Sequence, residues 1–350
     1  MYNRFWNYSR DFEWPYSAEG QEGIYHCYSR CVRRAFLYGY DAVTQRDFSH
    51  RKAWIVERMK FLAGIFAIDV CGFAVLANHL HNILRTRPDI AASWSDHEIA
   101  LRWLQLYPRK PQSKKRPVPP IENQIAAILA SPDRIAQLRK RLSSISWFMG
   151  CLNEFIARAA NAEDKVKGRF WEGRFKCQVL LDDASVIACM AYVDLNLIRA
   201  GLADTPENSD FTSIQERIRD WQEANILAIA THPLPVDQPK SNPHVDSWLC
   251  PITSTPHRRG ILDILETQYF DLVDQSGRIL RQGKRGFINP DLAPILSRIG
   301  ARPEAWLDTI SRFGSKFHVA AGRLSSLKNF AKKIGVHRLT GHSAAGASFS

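Results

Sequence analysis

The segment FAVLANHLHNILRTRP, residues 73 to 88, sets two histidines one residue apart inside an apolar run that reads as β-strand. Side chains alternate faces along a strand, so His79 and His81 point the same way while Leu80 points to the opposite face. Two neutral imidazoles on one face form a forked ligand for a divalent ion, provided a third donor arrives from elsewhere in the chain. Taken alone, an H-x-H strand is more often a satisfied pair of core histidines, so the remaining sequence has to decide.

A second cluster lies in DDASVIACMAYVDLNLIRAG, residues 182 to 201, which reads as a helix opened by Asp182 or Asp183 and closed by Gly201. Projection at helical spacing puts Val186, Ile187, Met190, Val193, Leu197 and Ile198 on one face, with Asp194 as the odd member. Ser185, Cys189, Tyr192, Asn196 and Arg199 fall on the other face, which is expected to line a cleft. A phenol, an amide oxygen and a guanidinium together suit phosphate chemistry. Between the two clusters, GRFWEGRFKCQVLL is expected to be an extended strand, with Arg169, Arg174 and Lys176 alternating with Phe170, Trp171 and Phe175. Two readings of it stand together: a stacking and phosphate-binding rim for single-stranded DNA, including Trp171 and Arg199, or core aromatics with a solvated basic edge. Glu172 pairs with a neighbouring arginine or touches a metal, and Tyr25, Tyr28, Tyr38 and Tyr40 are competing phenols.

The elements that must hold these residues follow the order strand, helix, strand, strand: GIYHCYSRC, SHRKAWIVERMKFLAGIFA, AIDVCGFAVLA and HLHNILRTR. That order opens a ferredoxin-like split β-α-β unit, an α+β fold with an antiparallel sheet. A helical insertion follows at about 91–165, in which PDRIAQLRKRLSSISWFMGCLNEFIARAANAED is expected to be one long amphipathic helix. The expected organisation is an N-terminal arm (1–22), a core (23–205), a helix and proline-rich linker (206–257), a basic helical accessory domain suited to DNA or to docking on the core (258–340), and a disordered tail (341–350).

The whole chain has 350 residues and a net charge of +12, and residues 251 to 350 carry fifteen Lys or Arg against seven Asp or Glu. Such an excess favours a polyanionic partner, nucleic acid first, although basic surface also serves solubility. No apolar run approaches the roughly 18 residues of a membrane span, and the N-terminus lacks the apolar core of a signal peptide, so a soluble, cytoplasmic protein without a membrane partner is expected. The seven cysteines are scattered and never spaced C-x-x-C, which points to reduced packing residues.

Taken together, NHLHNIL and GRFWEGRFKCQVLLDDASVIACMAYVDLNLIRAGL resemble the REP-associated tyrosine transposases, a branch of the single-tyrosine HUH transposases. The likeness runs from about Gly23 to Ser213, with an insertion at about 91–140. It implies a ferredoxin-like (RRM-like) HUH core, with Tyr192 as nucleophile and His79, His81 and Asn196 as ligands of Mg²⁺ or Mn²⁺. The implied partner is single-stranded or hairpin DNA in the bacterial nucleoid, with a homodimer as one arrangement. Two positions depart from the family pattern: Leu197 replaces the proline of NPVRAG, which should let the helix run on, and Ala77 stands where proline is common. A non-catalytic nucleic-acid-binding regulator on the same sheet is the competing expectation, and a metal-dependent nuclease using water a third.

Overall fold

The computed structural model of the chain describes residues 20–32, 37–43, 45–108, 122–230, 247–281 and 303–349. Most of the N-terminal arm, the basic proline-rich segment after Pro108, the stretch 231–246 and the basic run 282–302 lie outside the described residues. By contact the chain divides into two compact units.

One unit takes in Trp54–Asp69 and Arg85–Gly168. It holds most of α1 (Arg51–Ile65), then α2 (Pro88–Ser93), α3 (Asp96–Leu106), α4 (Glu122–Leu129), α5 (Pro132–Leu142) and α6 (Ile145–Asp164). Serines start three of these helices: Ser95, Ser131 and Ser144 each accept a backbone N–H of the first turn, from Glu98, Arg134 and Trp147. Ser144 is also why the long helix expected over 132–164 is two helices. Adjacent Ser143 and Ser144 hydrogen-bond locally, and a hydroxyl that caps a new first turn ends the old one. Apolar residues at helical spacing, Ile99, Trp103, Leu106, Leu138, Leu142, Phe148 and Leu152, form this unit's buried core. The buried guanidinium of Arg85 is matched by Asp69 at 2.7 Å, which also receives Arg87.

The other unit takes in Ile24–Ala53, Val70–Leu84 and Arg169–Ser350. Its strands are β1 (Ile24–Arg30), most of β4 (Ile68–Val75) and of β5 (His79–Thr86), β6 (Lys176–Leu180) and β7 (Ala320–Ala321), and a ribbon is formed by β2 (Tyr40–Asp41) and β3 (Arg46–Asp47). The five-stranded sheet has the order β4-β5-β1-β6-β7. β1 and β6 are antiparallel with His26 opposite Gln178 and Cys27 opposite Cys177, whereas β7 joins β6 in parallel, so the sheet is mixed and not purely antiparallel. Two alanines carry no alternation for a sequence reading to detect. They join through the backbone alone, with Val179 N–H donating to Val319 and Leu181 N–H to Ala321. Only the second half of GRFWEGRFKCQVLL is strand; the first half is irregular, with Trp171 bridging to Cys31.

After β6 come α7 (Asp183–Asp194), α8 (Asn196–Arg199), α9 (Ser213–Ala230), α10 (Glu266–Arg281), α11 (Pro303–Ser311), α12 (Phe313–Lys316), α13 (Leu324–Lys333) and α14 (His342–Ser348). Asp182 opens α7 through a capping box with Ser185, and Gly201 closes the segment at φ +68°, both as expected. The helix does not run on past Asp194 despite Leu197: Leu195 turns the backbone to φ −86°, ψ 2°, and α8 starts anew. Nor does α7 present a cleft-lining face. Ser185 and Cys189 are as buried as Val186 and Ile187, because α10, α11 and α12 pack around the helix along with β6.

The described residues beyond 258 fall in this unit by contact. Trp306, Ile310, Phe313 and Phe317 spend their apolar surface inside it, and the Trp306 indole N–H donates to Ser276 at 2.8 Å. The expected disordered tail is ordered helix α14, with Phe349 stacked on Phe317 at 5.8 Å. The expected linker is packed over 247–257, where Leu249 pairs with Val70 and Cys250 is buried. All seven cysteines are free and buried, and no helix among the described residues is long and apolar enough to cross a membrane.

Asp194 explains how α7 is held. Its buried carboxylate accepts the Ser213 hydroxyl, the Ile214 N–H at 3.1 Å and the Tyr269 hydroxyl, which ties α7 to the first turn of α9 and to α10. Burial raises its pKa, and the Ser213 and Tyr269 hydrogen bonds pull it back. Changing Asp194 to Ala strips three buried donors of their acceptor and should cost about 3 kcal/mol. A shift of the denaturant midpoint corresponding to under about 0.5 kcal/mol would show that the carboxylate does not anchor the helix.

Candidate active site

Strand alternation on β1 and β5 brings four rings together. His26 and Tyr28 share a face of β1, as His79 and His81 share a face of β5, and the two strands are neighbours in the sheet. His26 Nε2 lies 2.9 Å from His81 Nδ1, with the imidazoles stacked at 5.1 Å between centroids. Tyr28 is 5.7 Å from both rings, and the His79 ring meets His81 edge-on at 4.9 Å. From β6, Gln178 Oε1 reaches His26 Nδ1 at 3.4 Å. At the β4–β5 turn, closed by Leu76 N–H to the His79 carbonyl, Asn78 Oδ1 accepts from His79 Nδ1 at 2.7 Å.

The orientation of the Gln178 amide selects one set of tautomers. With Gln178 Oε1 as acceptor, His26 carries its proton on Nδ1, so His26 Nε2 accepts from His81 Nδ1–H. His79, donating from Nδ1 to Asn78, is left with a bare Nε2, and so is His81. His81 Nε2 is buried and has no hydrogen-bond partner among the described residues. Burial lowers the pKa of His26 to about 4, and burial with the Arg30 charge lowers that of His79 to about 4. Burial also drives His81 well below the ordinary histidine value, so all three rings are neutral near pH 7.

Helix α7 brings Tyr192 to this face. Its ring stands perpendicular to His81 at 5.8 Å and nearly so to His26 at 6.1 Å. The Arg199 guanidinium sits 4.9 Å from the Tyr192 ring centre and donates to the Ser311 carbonyl. Burial raises the Tyr192 pKa, and the Arg199 charge works against that rise. Asn196, one turn beyond Tyr192, is 9 % exposed, and its Nδ2 is buried without a hydrogen bond of normal geometry among the described residues. On the other side, α12 closes over the phenol: Phe313 is 6.0 Å from the ring, and a Cβ placed on Gly314 would lie 3.2 Å from the hydroxyl.

The donor chemistry fits a divalent ion. Two imidazoles present unprotonated Nε2 atoms, each ring is oriented through Nδ1 by an outer partner, and the carboxamide of Asn196, whose Oδ1 and not its unsatisfied Nδ2 would meet a cation, lies one turn from the phenol. Among the described residues no group of three or more His, Cys, Asp or Glu is placed to hold a metal, so such a site depends on Asn196 as its third donor.

Tyr192, His79, His81 and Arg199 are thus brought into one neighbourhood; Tyr28, one of the competing phenols, joins them, as do His26, Gln178 and Asn78, which had not been singled out in the sequence. Two-residue alternation on β1 puts His26 and Tyr28 on one face, but only the pairing of β1 with β5 brings that face to the His79 pair. Of the expected DNA-binding rim, Arg169, Arg174 and Lys176 are exposed, and Lys176 reaches over Tyr28 at 5.6 Å. Trp171 is not a stacking platform: at 8 % exposure it is core, as is Phe170, because the irregular chain at 168–175 folds its aromatics inward against the end of β1. Glu172 pairs with Arg30 at 3.8 Å. Among the competing phenols Tyr25 and Tyr38 are buried away from solvent and Tyr40 is exposed on the ribbon.

A scan of protein-family models and a search of curated proteins find no match to this chain. Comparison with solved structures finds the REP-associated tyrosine transposase bound to a REP hairpin, at a TM-score of 0.30 and 10 % identity, over 66 % of this chain and 93 % of that one. An overlap of that extent carries no argument about the chemistry, which rests on the side chains above.

Changing Trp171 to Ala should therefore cost about 3 kcal/mol of stability, as expected for truncating a core aromatic. Oligonucleotide affinity of the folded protein should be unchanged. Unaltered unfolding with weakened binding would return Trp171 to the nucleic-acid surface.

Proposed function

We propose that this chain is a DNA nicking and strand-transfer enzyme of the single-tyrosine HUH kind, acting on single-stranded or hairpin DNA. The observation that carries the reading is Tyr192 set edge-on to His81, an imidazole whose Nε2 is buried, unprotonated and unpartnered. The order β4-β5-β1-β6 supports a ferredoxin-like reading of the sheet, with β7 added at its edge.

His79, His81 and Asn196 would hold Mg²⁺ or Mn²⁺, and the ion, when bound, supplies positive charge at the scissile phosphate. Burial keeps the imidazoles neutral and hence able to donate lone pairs. His26 holds the His81 ring in its plane. The Tyr192 oxygen attacks phosphorus; the P–O3′ bond breaks as the O–P bond forms, the phenolic proton passes to solvent, and the leaving 3′ oxygen takes up a proton. One ester replaces another, giving a 5′-phosphotyrosine and a free 3′-hydroxyl, so rejoining to a new 3′ end needs no external energy source. Arg199 beside the ring favours the phenolate as the proton leaves.

The closure of Gly314 and Phe313 over the phenol favours a second reading, a non-catalytic nucleic-acid-binding regulator that uses the same sheet. Incubation with labelled single-stranded and hairpin oligonucleotides in Mn²⁺, followed by a denaturing gel, separates the two. A covalent adduct is expected that disappears in Tyr192→Phe while binding persists, and that also disappears in His81→Ala. No adduct on any oligonucleotide leaves the regulator. An adduct surviving in Tyr192→Phe moves the nucleophile, with Tyr28, also beside His81, the next phenol to test. Cleavage that persists in a chelator removes the ion from the mechanism.

A further inference from the structure

A cavity of about 490 Å³, open to solvent, lies where the end of α12 meets the turn before α14. Its polar lining is Lys316, Arg338, Thr340, His342 and Ser343, and no carboxylate is among the lining residues. We infer that this cavity binds a backbone phosphate of single-stranded nucleic acid. The inference rests on the reading of the chain as a DNA-binding protein and assigns it a second contact, at the C-terminal end of α12.

Four observations support it. Arg338 is exposed and forms no ion pair or hydrogen bond among the described residues, so its charge is unneutralised there. The His342 Nε2 is shielded from solvent and has no partner among them. Lys316 meets Asp308 at 2.5 Å, but that one carboxylate also receives Arg312, so two cations share a single negative charge. The Thr340 and Ser343 hydroxyls have no side-chain partner among the described residues. Two cations, two hydroxyls and an imidazole nitrogen are the donors that bind phosphate oxygens.

The lining also says which phosphate. It holds no aromatic ring on which a nucleobase would stack, only Leu339, Gly341 and Ala344 beside the polar groups, so a phosphate in a chain fits better than a mononucleotide. The wall is rigid. Gly341 has φ +100°, and a Cβ there would lie 2.5 Å from the Phe317 ring. The placement suits a strand that continues to the candidate active site, because α12 supplies Lys316 to the cavity and Gly314 to the Tyr192 hydroxyl.

The test is fluorescence anisotropy of a single-stranded oligonucleotide against the full chain over a range of salt concentrations. Loss of one phosphate contact in Arg338→Gln should flatten the slope of log K against log salt by about 0.7 and weaken low-salt binding about three- to tenfold. Lys328→Gln, which removes an exposed charge of α13 outside the cavity, is the control and should leave the slope unchanged. Equal losses in both variants, or none in Arg338→Gln, overturn the site. If millimolar deoxythymidine monophosphate raises the melting temperature of the unaltered chain but not of Arg338→Gln, while the oligonucleotide slopes agree, the cavity takes free nucleotide and the inference fails. Failure of the catalytic reading is distinguishable: an unaltered chain that forms no adduct but loses its slope in Arg338→Gln keeps the phosphate site and loses the nicking chemistry.

Discussion

The bond between His26 Nε2 and His81 Nδ1 is the constraint on which the candidate site depends. A buried imidazole with both nitrogens unsatisfied would cost a few kcal/mol, and a ring free to rotate would not hold its lone pair in one direction. Pairing one nitrogen through His26 to Gln178 removes part of that cost and settles which nitrogen remains bare. Three adjacent strands therefore cooperate to aim one atom. The pairing of β1 with β6 that sets His26 opposite Gln178 matters for this reason, since a one-residue slip would turn His26 to the other face.

Positioning of the phenol is a separate problem with a separate solution. Helix α7 is apolar nearly all round, so packing alone leaves its rotation about its axis poorly specified. Asp194 specifies it, because a buried carboxylate can be accommodated only where Ser213, Ile214 and Tyr269 supply donors. With that rotation set, Tyr192, two residues earlier, faces the imidazoles. Close contact of α10 supports the same end of the helix: a Cβ on Gly277 would come within 2.9 Å of Leu195.

Much of this was legible in the sequence where a short period or a cap dictates the outcome. The His79–His81 fork, the first helix, the strand pair and the Asp182 and Gly201 ends of the α7–α8 segment follow from local rules that tertiary packing did not overrule. His26 escaped notice because a histidine in a strand of mixed polarity has no local signal; it gains meaning only when β5 lies beside β1. Trp171 was ambiguous for a related reason, since aromatics alternating with cations are compatible with a rim or a core until the backbone's path is known. The region after residue 258 was read by its charge, while its place in the fold is decided by Trp306, Phe313 and Phe317. Burial of a few large rings outweighs a surface of lysines in fixing where a helix docks.

In the proposed reaction, that docking would give the C-terminal helices a part which basic composition alone does not predict. A phenol must lose its proton to become a good nucleophile, and desolvation opposes the loss while a nearby cation favours it. Both influences on Tyr192 trace to one stretch of chain. Phe313 and Gly314 cover the phenol, and the Ser311 carbonyl, two residues before Phe313, holds the Arg199 guanidinium that sits by the ring. The arginine would otherwise be a solvated side chain at the end of a one-turn helix, with little reason to keep one rotamer. Fixed by Ser311, it keeps its charge beside the phenol, and the segment that shields Tyr192 from water also supplies the means of offsetting that shielding.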